Sequence, residues 1–416
     1  QAISREAAVK LQVLILNSFQ PARATCAMRS FLRQFVALGL PVLLNAQSSS
    51  CEDSSQAVAL VQLGIAISRE AVSNAVIDAN PTDGVIDKVV FIKLHYVGSS
   101  TFAAILHRYC EFHGKNCFVY PKHIHPGDTP TDEELRGIVT TFQSGKFPAL
   151  DIWPNHVNMR TEMLNTLIPG NFKISLFRPP LPRIMSAFRH HYPAEGVKDT
   201  MEALKRDQYI EDCGGGRSGT LMSDQISPDQ VAGLDFVMLT EHYDWSLMML
   251  RRKLGWSMFD MMYRRLKDDH PADIVAATAA FEEYLSQPLG ALNNATRVYL
   301  QECTGGNESL VYMNANRTFY QQWESLSLME QQQVENDEAL FVAARNLLEQ
   351  CCDSNPSDSY CVGLLEDNVD WNQRYQADNR PYASMQLHRA SISSSITHTS
   401  LCMLLVQTTL RSGLTA

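Results

Sequence analysis

The residues best suited to chemistry are Gly98, Ser99, Ser100 and Thr101, which follow the apolar run Val89 to Ile92 and precede Phe102, Ile105, Leu106, Tyr109 and Cys110 at helical spacing. A strand that turns into a helix through glycine and small hydroxyl residues presents free backbone N–H groups and side-chain donors at a positive helix end. The chemistry implied is the binding of a phosphate or a sulfate. Many α/β proteins make such a turn without a ligand, so the turn alone names none. The Walker spacing G-x-x-x-x-G-K-[ST] is absent, which disfavours an ordinary ATPase or GTPase. Gly114 supplies the expected helix stop.

A second strand-to-helix unit is expected over Lys173 to Tyr192, with Ile174, Leu176 and Phe177 in the strand, Arg178 at its end and Ser186 eight residues farther on. Arginine offers a fixed fork of donors and serine adds one hydroxyl, so the two could converge on a second phosphate, although a lone arginine also serves in structural ion pairs. Ala149 to Trp153 reads as a short strand, and His156 lies just beyond it, at the edge where open α/β sheets place ligands. Imidazole titrates in the range useful to a general base, while a satisfied structural histidine is the plainer alternative.

With these residues in hand, the chain resembles Golgi carbohydrate sulfotransferases, most closely the galactose-3-O-sulfotransferase (galactosylceramide sulfotransferase) family. The family segment FLKTHKTASST is matched by FIKLHYVGSST, Phe91 to Thr101, and a family strand ending in Arg-Asp-Pro, with serine eight residues after the arginine, by FRPPLPRIMS, Phe177 to Ser186. An Asn-His motif is matched by Asn155-His156, a Glu-x-x-Asp-x-Ser-Leu segment within Leu234 to Trp256, and an Asn-x-Ser-Phe-Trp segment within Asn314 to Leu326. The matches are colinear over roughly residues 86 to 330. The resemblance implies a P-loop-like α/β sulfotransferase fold, a central parallel sheet flanked by helices.

It also implies the reaction: transfer of a sulfuryl group from 3′-phosphoadenosine 5′-phosphosulfate to a hydroxyl of a galactose-type sugar on a glycolipid or glycan, without a metal. Gly98, Ser99, Ser100 and Thr101 would hold the 5′-phosphate, Arg178 and Ser186 the 3′-phosphate, and His156 would act as base. Positioning and electrostatics dominate such a transfer, as in phosphoryl transfer. Two positions depart from the pattern. Tyr96 stands where the family has a lysine beside the leaving oxygen, and Pro179 where it has aspartate, Pro180 being kept. Lys93, three residues before Tyr96, is the candidate to supply the missing charge, and a catalytically weakened or inactive nucleotide-binding protein is the alternative reading. A nucleoside-phosphate kinase is disfavoured by the missing Walker lysine.

The 416 residues are 45% hydrophobic and carry a formal net charge of −10, which suits a sizeable core and argues against a nucleic-acid partner. Short basic clusters, Arg251-Arg252-Lys253 and Arg264-Arg265, read as solvated helix faces. The sequence divides into a leader, signal or anchor and stem over 1–85, a sulfotransferase domain over 86–330, a helical cysteine-containing extension over 331–381, and a Ser/Thr-rich tail over 382–416. Met28 to Gln47 has the basic start, apolar core and small polar end of a signal sequence, and the family usually has an N-terminal membrane anchor. Sequons at Asn294, Asn307 and Asn316, with 10 cysteines, favour the Golgi lumen or the secretory pathway. Cys351, Cys352 and Cys361 suggest a stapled loop after a helix over Glu335 to Leu348, and Cys213 to Gly219 reads as a flexible linker.

Overall fold

The computed structural model describes residues 84–120, 129–145, 147–211, 213, 221–264, 271–357, 361, 364, 406 and 410. The leader, anchor and stem expected over 1–85 therefore lie outside the described residues except at their last two positions, as do most of the linker after Cys213 and most of the tail.

The chain lays down β1 (Val89–Ile92), α1 (Ser99–His113), α2 (Asp132–Gln143), β2 (Ile152–Trp153), α3 (Thr161–Leu167), β3 (Phe172–Phe177), α4 (Pro180–His191) and α5 (Ala194–Lys205). After a short helical turn at Met222–Gln225 and a 3-10 turn at Pro228–Gly233 come β4 (Phe236–Leu239), a 3-10 turn at Thr240–His242, α6 (Tyr243–Leu254), α7 (Ala272–Leu285), α8 (Asn294–Thr304), α9 (Gly306–Glu324) and α10 (Leu328–Ser354). The strands form one parallel sheet in the order β2-β1-β3-β4. The expected α/β class with a central parallel sheet flanked by helices is what the chain adopts.

The strands read as unbroken apolar runs because both faces of the sheet are covered. Val89 to Ile92 and Phe236 to Leu239 are buried throughout. β1 and β3 pair with Val89 opposite Phe172 and Ile92 opposite Ser175. The buried Ser175 hydroxyl donates to the Ile92 carbonyl at 2.8 Å, so this polar side chain in the sheet is satisfied. A second apolar cluster, including Ile184, Phe188, Val197, Phe281 and Tyr299, packs α4, α5, α7 and α8 together beside the sheet. The disulfide Cys213–Cys303 pins the start of the Gly-rich segment to the end of α8.

Helix α10 is longer than the expected Glu335 to Leu348 and crosses the boundary drawn at residue 330. Its Val334, Phe341, Ala344 and Leu348 join the sheet's own core, and so do Val406 and Leu410 from the C-terminal stretch. The basic clusters are not simply solvated faces. Arg251 pairs with Asp337, and Arg264 pairs with Asp353 at 2.8 Å, each clamping α10 to the preceding segment. Cys352–Cys361 closes the expected loop beyond α10, and Cys110–Cys117 staples the end of α1.

Arg183 of α4 and Glu308 of α9 form an ion pair at 2.7 Å with side chains only 0% and 1% exposed, and the Ser223 N–H also donates to Glu308 at 3.0 Å. Breaking such a pair leaves an uncompensated buried charge. Arg183→Met should therefore destabilise the protein by about 3–5 kcal/mol in urea unfolding. Adding Glu308→Gln, which removes the stranded charge and keeps an acceptor for Ser223, should recover part of that loss.

Candidate functional site

The parallel sheet places the carboxyl ends of β1, β2 and β3 side by side, and each expected site segment begins there. Gly98 takes the left-handed conformation with φ +80°, which glycine adopts without steric cost, and it lets the chain enter α1. No side chain caps the start of α1, and its first turn carries no acidic residue. Its unpaired N–H groups are thus available to an anion, the arrangement expected from the Gly-Ser-Ser-Thr turn.

The individual hydroxyls are used unequally. Ser99 is buried and donates inward to the Leu94 carbonyl at 2.6 Å, holding the turn closed. Thr101 is buried, whereas Ser100 is half-buried and Gly98 is exposed. Thr240, at the end of β4, donates to the Val97 carbonyl at 2.8 Å and lies 2.9 Å from the Phe177 carbonyl, bridging the turn to the end of β3. Arg178 Nη1 approaches the Tyr96 carbonyl at 3.4 Å, and Ser186 is half-buried on α4.

Lys93 and His156 meet. Lys93 is only 2% exposed, and its Nζ lies 3.1 Å from His156 Nε2. His156 Nδ1 lies 2.7 Å from the Lys93 carbonyl. A carbonyl can only accept, so Nδ1 carries the proton and Nε2 presents its lone pair to Lys93. Asn155 donates to the Phe118 carbonyl at 3.0 Å and the Tyr120 hydroxyl donates to the His156 carbonyl, which fixes this loop from both sides.

Two residues outside the expected set complete the site. The His95 ring stacks on His156 with centroids 3.9 Å apart. Gln225 accepts from the His95 N–H at 3.2 Å and donates to the Lys93 carbonyl at 3.1 Å, so that carbonyl, past the end of the β1 ladder, is doubly satisfied. His95 stands inside the Phe91 to Thr101 segment and was legible there. Gln225 comes from a distant turn and belongs to no motif.

Burial first, and then the charges of Lys93, Arg183, His191 and His190, together push His95 down to about 3. Burial, and next to it Arg189, also lower Arg178 from its usual value. Cations thus gather at one sheet edge of a chain whose net charge is −10. Together with the uncapped helix end, this edge fits an anion carrying more than one charge. Among the described residues, no group of three or more His, Cys, Asp or Glu is placed to hold a metal ion.

Over 215 residues the chain is 26% identical to galactosylceramide sulfotransferase of Mus musculus, covering 43% of this chain and 48% of that protein. Over 222 residues it is 27% identical to galactosylceramide sulfotransferase of Homo sapiens, covering 46% and 52%. Over less than half of its length, therefore, the chain is similar to galactosylceramide sulfotransferases. It spans about half the length of the curated relatives it matches. No family model matches it.

The remaining expected positions are the sequons. Asn294 and Asn307 are exposed at the starts of α8 and α9, while Asn316 is half-buried within α9 and donates to the Tyr312 hydroxyl at 3.4 Å. Among the described residues no helix is long and apolar enough to cross a membrane.

The lowered pKa of His95 has a direct consequence for stability. The unfolded chain, with an ordinary histidine near 6.5, binds a proton that the folded chain refuses until about 3. Stability should therefore be complete above pH 6.5 and fall as the pH drops below it, by at most about 1.4 kcal/mol per pH unit. Urea midpoints measured between pH 7.5 and 4.5 should show this slope, and His95→Asn should remove its share of it.

Proposed function

We propose that the protein is a carbohydrate sulfotransferase that moves the sulfuryl group of 3′-phosphoadenosine 5′-phosphosulfate to a hydroxyl of a galactose-type sugar on a glycolipid or glycan. The observation that carries this reading is the uncapped N-terminus of α1 beside the buried Lys93–His156 pair, within a concentration of cations. The curated relatives it resembles are named galactosylceramide sulfotransferases, which supports a galactolipid acceptor.

In this reading the backbone from Gly98 to Thr101, with the Ser100 hydroxyl, holds the 5′-phosphosulfate, and Arg178 and Ser186 hold the 3′-phosphate. The donor supplies the activated sulfuryl group. As the acceptor oxygen bonds to sulfur, the bond from sulfur to the 5′-phosphate oxygen breaks, and the acceptor proton passes to His156 Nε2. That nitrogen faces Lys93 in the protein alone. The negative donor draws the Lys93 ammonium toward itself, which gives the donor a cation and frees the base in one movement. Such a reaction asks for no metal, because fixed donors meet the charge as it develops.

The disulfides Cys110–Cys117, Cys213–Cys303 and Cys352–Cys361, with the exposed sequon asparagines Asn294 and Asn307, support a Golgi-lumenal or secretory setting. A membrane anchor belongs to the segment outside the described residues. A second reading, a nucleotide-binding protein with weakened or lost transfer, is favoured by Tyr96, a neutral phenol where the resemblance has lysine.

The test is incubation of the protein with isotopically labelled donor and a panel of galactose-terminated acceptors. Slow transfer is expected, abolished by His156→Ala. Arg178→Ala should raise the donor KM by about 10- to 100-fold, the usual effect of losing one hydrogen bond to a charged group. Donor binding without transfer would favour the second reading, and absence of donor binding would overturn both.

A further inference from the structure

Tyr96 is held in a way that its neighbours in the turn do not require. Its backbone is left-handed, φ +62°, which for a bulky residue is costly and persists only where the surroundings fix it. The Tyr96 carbonyl meets Arg178, and its hydroxyl meets Nε2 of His191 at the last residue of α4. The rings of Tyr96 and His191 stand edge to face with centroids 5.2 Å apart, and His190 lies 6.0 Å away. Tyr96 thus sits two residues before the Gly98 turn, tied to two histidines at the end of a neighbouring helix.

Resting on the sulfotransferase reading, we propose that Tyr96 and His191 act as one composite donor, the imidazolium of His191 giving the phenol the positive character with which it stabilises the leaving 5′-phosphate oxygen. Nε2–H of the imidazolium donates to the phenol oxygen, and the phenol O–H donates to the oxygen that receives the electron pair of the breaking S–O bond. No proton need cross to that oxygen, since the phosphate departs as an anion, and the acceptor proton goes to the base. Tyr96 touches the reacting atoms; His191 acts through it and is a positioning residue.

The neighbourhood is consistent with this division. Next to the pair, Arg178 from the end of β3 meets the Tyr96 carbonyl and the His190 ring of α4 lies beside the phenol; Lys93, Arg183, His190 and His191 act on His95 of the β1–α1 segment, and Arg189 and Arg183 act on Arg178. Of the acids on adjoining elements, Glu308 of α9 is occupied by Arg183, while Glu282 of α7 and Glu241 act on Arg178. In this proposal the negative charge of a bound phosphosulfate stabilises the imidazolium. The charge on His191 is therefore recruited by the donor, in contrast to a lysine, which carries its charge permanently.

The experiment compares the parent chain with Tyr96→Phe, His191→Asn, Tyr96→Lys and the double variant Tyr96→Lys/His191→Asn, measuring kcat and donor KM from pH 5.5 to 8.5. His191 is exposed, and phenylalanine preserves the Tyr96 ring, so folding should be retained. Tyr96→Phe and His191→Asn should each lower kcat about 100-fold, the usual cost of losing one preorganised donor, with donor KM changed far less. The parent should lose kcat as the pH rises and the imidazolium is lost. In the Tyr96→Lys background that limb should disappear and His191→Asn should have no further effect.

Parental kcat and pH profile in His191→Asn would overturn the proposal, and so would an equal loss on that substitution whether residue 96 is tyrosine or lysine. Donor binding by the parent without turnover would overturn it too. Donor binding by none of the forms would instead sink the sulfotransferase reading on which it rests.

Discussion

The parallel pairing of β1 with β3 is the constraint on which the rest depends. Because Val89 faces Phe172 and Ile92 faces Ser175, with β3 running on to Phe177, the turns that leave the two strands emerge at the same edge of the sheet. The Gly98 turn and Arg178 are far apart in sequence, yet Arg178 reaches the Tyr96 carbonyl. A register shifted by one residue would reverse the facing of every side chain on one strand and separate the two turns. The apolar burial of both strands therefore does more than stabilise: it fixes the relative position of two polar turns that have little direct contact. Thr240 extends the same logic to β4, since one hydroxyl touches carbonyls of both turns.

This sheet edge is also where the chain departs from its own average electrostatics. A protein of net charge −10 gathers Lys93, Arg178, Arg183 and Arg189 about three histidines, and Arg183 has the buried carboxylate of Glu308 against it. Such a concentration is self-repelling, and the low pKa of His95 registers that repulsion after burial. The apolar core supplies the stability that tolerates it. The buried Lys93 ammonium is met by the Nε2 lone pair of His156, 3.1 Å away.

Much of this was legible in the sequence. The runs VVFI, KISLF and FVML are apolar without alternation, which a buried parallel strand requires, and Gly98 and Gly114 bracket α1 where a left-handed residue was needed. The Cys352–Cys361 loop follows from local crowding of cysteines. What escaped was non-local. Gln225 has no pattern because it caps a carbonyl from a turn of its own, 132 residues from Lys93. The ion pairs joining Arg251 and Arg264 to α10 look like solvated charges until the partner helix is in place. Helix α10 likewise appears to be an appendage in the sequence, since its apolar positions are sparse; only against α6 do they become core.

Tyr96 shows why a substitution in a motif cannot be judged at its own position. Read along the chain, a phenol in place of an ammonium is a loss of charge. Read across the fold, the same phenol adjoins a helix end that carries two consecutive histidines, and Arg178 holds its backbone in a conformation a bulky residue rarely takes. A helix C-terminus favours a cation, and His190 and His191 close α4. In the proposed site a fixed positive charge would be exchanged for a conditional one, and the left-handed backbone of Tyr96 would be the structural cost of aiming it.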